Sequence, residues 1–501
     1  MKRLAVLIFA LILVFGMTAY AENTADVKYK EEVVIGLRQQ VTTLDPQALT
    51  NTVQNQVLKL WHATLVDLDT VNNVIIPDLA ESWTWIDDRT IEFKLNEKAM
   101  FHNGEPVRAS DVVFTVTRGV DGVASKSRMG LFESAEALDE HTVRLTLKSP
   151  NVDLLDTLSL PVCSILSEKA FQDDPEEGFR IGAGPWVLDE FVVNDYMAFS
   201  RFDAYHFGPM KTARLRVRYI PEDSSRAIAL QTGEIDLCEH VLPIDLPLLE
   251  ADKNIETVVF DSPTCQYFFF NYQKEGVPTS NKLVRHAIAH AINRDDIVMA
   301  CKDGYGTPGK TFWGMNQYGY YDGMEGYAYD VEKAKALMAE AGYADGFDLP
   351  LTVISGERVI SAEVIQAQLK EIGINVQINE VDGAGMSSLV SSGDFICGLW
   401  GIGFNSCGDE VRRVYYTNGS NNRSWYTNPE VDKLIDEGVV EMDDAARKEI
   451  YKQIQEIAIE DLPVICLYYE NEIMGCVKGL GGIEWGCSSA NDMSGVYVVV
   501  E

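Results

Sequence analysis

His286 and His290 stand four residues apart on one face of a helical stretch, the spacing of a two-histidine metal site. No third or fourth ligand stands at a recognisable distance, so the pair is either half of such a site or two packed rings, and packing is preferred. His102, in the turn Phe101-His102-Asn103-Gly104-Glu105-Pro106, has the side chain of a general base, but no nucleophile or partner base is spaced to use it. The chain has nine cysteines, and the odd count leaves at least one unpaired. Cys466 and Cys476 lie symmetrically about Asn471 in an expected hairpin, and Cys397 and Cys407 bracket a Gly-rich loop. Either pair is a disulfide or two reduced packing residues. CxxC spacing is absent, as are a GxSxG elbow, an HExxH zinc motif and a P-loop. A periplasmic hydrolase, the alternative from another class, therefore lacks a motif, and no cofactor is expected.

The elements that would position a binding site are legible. At 501 residues the chain exceeds one hydrophobic core, and 46% hydrophobic content marks it as globular. Met1-Lys2-Arg3, an apolar run from Leu4 to Met17 and Ala19-Tyr20-Ala21 form a secretory signal over residues 1–21, with the mature chain starting near Glu22. No cysteine stands at that point, so no lipid anchor is expected, and the address is periplasmic. The formal charge of −34 argues against nucleic acid as a partner. Alternating segments predict strands at 90–95, 141–147 and 215–220, and Tyr267-Phe268-Phe269-Phe270 predicts a strand buried on both faces. Gly182, Gly184 and Pro185 predict a tight turn with φ > 0. Helices are expected from Ser110, from Ser224 or Ser225, from Ser280, from Asp330 and from Ser361. Strand, helix and strand over 351–378 predict parallel pairing.

Three stretches carry a resemblance: IGAGPW at 181–186 with the later Gly233-Glu234-Ile235-Asp236, FHNGEPVRASDVVFTVTRG at 101–119, and LVRHAIAHAINR at 283–294. In them the chain resembles the peptide and nickel class, family 5, of the substrate-binding proteins that feed ABC importers. The resemblance implies an α/β, bilobal, periplasmic-binding-protein type II-like fold with a small extra subdomain in lobe one and a hinge crossed twice. Lobe one is expected over 22–267 and 478–501, with its subdomain at about 62–170. Lobe two is expected over 268–477, with the first hinge near 265–271.

The same resemblance implies the function and the site. An extracytoplasmic receptor captures a peptide or peptide-like solute between its lobes and delivers it to the permease. A metal-chelate or other carboxylate-bearing solute is the alternative, and docking on a signalling protein is another. The chain is expected to be a monomer and not an enzyme. Arg358, between a strand and a helix, stands where the family's arginine takes the ligand carboxylate, for which a planar guanidinium suits a bidentate bond. Trp400 matches the family's tryptophan, but the aspartate expected three residues later is Gly403. Asn405 or Asp409 is left to meet an amine, Trp400 and Phe404 stack on the ligand or pack their loop, and Thr50 and Asn51 end a loop that faces the cleft.

Overall fold

A computed structural model describes residues 27–48, 52–72, 74–314, 317–403, 409–485 and 491–500. An 11-stranded sheet runs through the molecule. Across it lie Ile374–Val381, Phe347–Ile354, Cys397–Gly403, Ile255–Phe270, Val464–Val477, Leu237–Cys238, Glu32–Leu37, Arg214–Tyr219, Tyr196–Arg201 and Trp186–Val192, with Gly306–Pro308 beside Val464–Val477. The two longest strands, of 16 and 14 residues, stand in the middle and pair antiparallel from Ile255 with Val477 to Phe269 with Val464. They carry the chain from one lobe to the other, and the fold is α/β and bilobal.

Each flank of the sheet has its own core. On one side Val33, Ile35, Leu215 and Trp186 pack with Trp61. On the other, side-chain alternation sends Phe268 and Phe270 to Ile288 and Leu351, and Tyr267 and Phe269 to Tyr426 and Tyr451. All four aromatics are fully buried, as a strand apolar on both faces predicts. Phe347–Ile354 and Ile374–Val381 pair in parallel around Glu357–Lys370, also as expected. A separate four-stranded sheet, Ala80–Trp85, Thr90–Leu95, Thr142–Leu147 and Phe132–Ala137, holds Phe93, Phe101 and Leu145 against Val112 of the helix Ala109–Asp121.

Several local expectations are corrected. The stretch 464–477 is one unbroken strand, with Asn471 opposite Asp261 where a turn was expected. Glu470-Asn471-Glu472 is polar because it is half-buried between the two cores, not because the chain reverses there. Cys466 and Cys476, ten residues apart on that strand, are separated by roughly 33 Å and cannot be joined. The ladder breaks between Asp261 and Cys265, where Pro263 has no N–H to give. Helix starts move by a few residues because amide and carboxylate caps displace the serines: Asn281 caps Lys282–Ala291, and Glu222 caps Asp223–Gln231. Likewise Asp111 accepts from Arg108 N at 2.8 Å ahead of Ser110's expected role. Asp330 caps Val331–Glu340 as expected.

Gly182 and Gly184 keep ordinary negative φ, so the expected reason for these glycines is wrong. They are needed for close approach: a Cβ on Gly182 would lie 1.7 Å from the Trp61 carbonyl oxygen. His102 fastens the same segment from the subdomain side. Its Nε2–H donates to Gly184 O at 3.0 Å, and its Nδ1 accepts from Gly182 N at 3.3 Å. The histidine is thus a structural clasp, held neutral by burial that pulls its pKa down to about 4.

Candidate functional site

Arg358 enters the site through a backbone device. Gly356, at φ +102°, lets the chain pass from the strand Phe347–Ile354 straight into the helix Glu357–Lys370, which begins four residues before the expected Ser361. Arg358 therefore sits in the first helical turn. Its Nε donates to Gln266 Oε1 at 3.1 Å, and Gln266 Nε2 donates to Glu470 Oε1 at 2.8 Å. The adjacent acids are already engaged. Glu357 accepts from the Tyr468 hydroxyl at 2.8 Å and from Lys302 Nζ at 2.9 Å, and Lys302 also lies 3.6 Å from Glu470.

Trp400, on Cys397–Gly403, pairs with Tyr267 of the crossing strand. The guanidinium carbon of Arg358 lies 5.7 Å from a Trp400 ring centroid, and that of Arg423 lies 3.7 Å from one. Arg423 comes from the Asn421–Ser424 loop ahead of the helix Pro429–Val440, and its Nε is buried with no hydrogen bond. Burial, with the nearby positive charge of Arg358, lowers its pKa. Among the described residues, no carboxylate forms an ion pair with either arginine. The hydroxyl of Tyr267 is buried and faces the Arg423 guanidinium.

Gly401 permits this crowding. A Cβ there would lie 2.4 Å from Gln266 Nε2 and 2.6 Å from Arg358 Nη2, so only glycine lets both side chains lie across the strand. Further along the crossing strand, a cavity of about 120 Å³ opens at the ladder break. Asp261, Pro263, Trp313, Tyr320, Asp322 and Tyr469 are in its wall. The cavity wall combines aromatic surface with two carboxylates, while the two half-buried guanidinium groups lie outside that lining, against Trp400.

Of the expected site residues, Arg358 and Trp400 meet. Phe404, Asn405, Thr50 and Asn51 lie outside the described residues; Asp409 opens the helix Asp409–Tyr415, but its side chain is also outside them. His286 donates its Nε2–H to Glu460 O at 2.9 Å, and His290 Nδ1 lies 2.7 Å from Ala328 O. Both rings pack edge-on to Tyr327, and no group of three or more metal-ligating side chains gathers among the described residues. Cys397 donates its thiol to Pro350 O at 3.1 Å, and Cys407 lies outside the described residues. Arg423 and Gln266 were missed. Neither carries a spacing signal, because loop closure and strand register bring them to Trp400. No helix among the described residues is long and apolar enough to cross a membrane.

The family model described as bacterial extracellular solute-binding proteins, family 5, middle region, matches residues 74–424. The glutathione-binding protein GsiB of Escherichia coli is 29% identical over 477 residues, covering 90% of this chain and 91% of GsiB. The ABC transporter substrate-binding protein CtaP of Listeria monocytogenes superposes with a TM-score of 0.85 at 25% identity, over 94% of this chain and 100% of CtaP. The periplasmic binding protein DppA of Helicobacter pylori, solved with the peptide STSA, gives a TM-score of 0.78 at 25% identity, over 94% and 99%.

Proposed function

The chain belongs to the bacterial extracellular solute-binding proteins of family 5, and from that premise we propose that it captures a small peptide or peptide-like solute by its carboxylate and passes it to the permease of an ABC importer. One observation carries this reading: Arg358 and Arg423 both lie against Trp400, and no carboxylate among the described residues pairs with either. Two half-buried like charges beside one indole repel each other, and a bound carboxylate relieves that repulsion. Glutathione and the peptide STSA, the ligands named for two relatives, both end in carboxylates. A carboxylate-rich metal chelate would use the same two arginines.

Asp261 and Asp322, in the cavity wall, supply the negative charge for an amine that Gly403 cannot. Closure bends the chain near 265–271, just beyond the ladder break at Ser262–Thr264, between lobe one at 22–267 with 478–501 and lobe two at 268–477. Ligand binding then shifts an open–closed equilibrium that the permease reads. The protein is secreted by cleavage after Ala21, acts as a monomer and releases its solute unchanged.

Mass spectrometry of the solute that co-purifies, with thermal shift against di- to tetrapeptides, glutathione and nickel chelates, tests the reading. A peptide free acid raising Tm is the expected result. A solute without a carboxylate as the only ligand would overturn it.

A further inference from the structure

Cys265 and Cys466 lie on the two crossing strands with their sulfurs 3.1 Å apart. The register explains the meeting. Cys265 is opposite Tyr469 and Tyr267 is opposite Cys466, and the shift between Gln266 and Tyr267 turns both thiols into the same layer. They are buried, at 0% and 4% exposure, against Phe269, Phe312 and Val464. Gly309 leaves the room: a Cβ there would lie 2.1 Å from Cys466 Sγ. Other thiols are directed at non-cysteine partners, Cys301 at Ser361 Oγ, Cys397 at Pro350 O and Cys238 at Glu239 O.

We propose that Cys265 and Cys466 form a disulfide that staples the two crossing strands where they enter lobe two. Extracytoplasmic proteins fold under oxidising conditions, in which adjacent thiols cross-link. The oxidant is a disulfide, of a protein or of a small thiol. The thiolate of one cysteine attacks it and releases one thiol; the other cysteine then displaces the second thiol from the mixed disulfide. The pair loses two electrons and two protons, and the reagent disulfide takes both up. The exchange takes place during folding, before Val464–Val477 docks fully on Ile255–Phe270, because the packed layer afterwards excludes the reagent. Burial also pushes the Cys265 thiol far above its usual pKa, which makes a reduced pair inert once packed.

The two residues are 201 positions apart, so the bond closes a loop that contains almost all of lobe two. It also fixes the strands four residues from Asp261, which confines bending to the proline break and the polar Glu470-Asn471-Glu472 opposite it. The strands then move as one hinge.

The test is thiol mapping of the full mature protein, exported and purified without reductant, unfolded in excess alkylating reagent and digested. The expected result is a Cys265–Cys466 linked peptide pair, 2 Da below the sum of the two thiol peptides, that separates on reduction; reduction also lowers Tm by several degrees. Alkylation of both residues without prior reduction, or linkage of either to another cysteine, would overturn the proposal. Cys265→Ser should free Cys466 for alkylation and leave Cys163 unaffected. If that variant does not fold, the wild-type map alone decides.

Discussion

Arg423 and Trp400 are in contact, the guanidinium carbon 3.7 Å from the ring centroid, although 23 positions separate them in the chain. The contact is cation–π in character, and it leaves the edge of the guanidinium free to hydrogen-bond. Arg358 approaches the same indole, held by Gln266. In the proposed reading, this flat aromatic platform with two planar cations is what holds the ligand carboxylate.

Gly401→Ala should weaken carboxylate binding, because the added methyl displaces Gln266 and Arg358, both within 2.6 Å of its position. Loss of one oriented charged hydrogen bond corresponds to about 2 kcal/mol, or roughly 30-fold in Kd. Isothermal titration with a peptide free acid measures it, and an unchanged Kd would show that Arg358 does not need this lane.

Asp153 and Arg447 form a buried ion pair, with side chains 4% and 10% exposed, between the small-subdomain side and the helix Asp444–Asp461. Val152 N donates to Val439 O at 3.0 Å beside it. Asp153→Asn leaves a buried guanidinium uncompensated, at a cost of about 3 kcal/mol. The expected effects are a lower Tm and, under the proposed division at 267/268, which puts the two residues in different lobes, a faster ligand off-rate. Stopped-flow release that matches wild type would assign the pair to folding alone.

Gly182→Ala should be more damaging than an ordinary surface substitution, since its methyl would collide with the Trp61 backbone, which is not free to move aside. A loss of about 3 kcal/mol is expected, seen as a shifted urea midpoint with an unchanged slope. A wild-type midpoint would contradict the packing argument.

Stability should fall in mild acid. Burial lowers His62 to about 3 and His102 to about 4 from 6.5. Between those values and 6.5 the unfolded chain binds protons that the folded one refuses, so stability is complete above pH 6.5 and declines as pH falls towards 4 and then 3. For His102 the change is about 3 kcal/mol. Urea midpoints at pH 7 and pH 4.5 measure the slope, which should be shallower in His102→Gln. Equal slopes in the two proteins would remove His102 from the account.

Much of the frame was legible because it rests on periodicity. Tyr267 to Phe270 showed a strand buried on both faces, and 351–378 showed a parallel unit. Val464–Val477 misled for a physical reason. A polar centre flanked by apolar runs looks the same whether the chain turns or passes between two cores, and only the pairing of Asn471 with Asp261 tells them apart. The glycines at 182 and 184 were marked as special, but their cause is contact with Trp61, a residue about 120 positions away. Arg358 and Trp400 were expected in one site from their position in a family pattern, and they meet. Arg423 was not expected there, since its place beside Trp400 depends on where a polar loop closes in space.

Titration calorimetry of one peptide as its free acid and as its C-terminal amide, against wild type, Arg358→Ala and Arg423→Ala, tests the central claim most directly. In wild type the free acid should bind at least about 100-fold tighter than the amide, and each substitution should remove most of that difference while changing amide binding little. Equal affinity for acid and amide in wild type, or full discrimination in both variants, would contradict carboxylate capture by the two arginines.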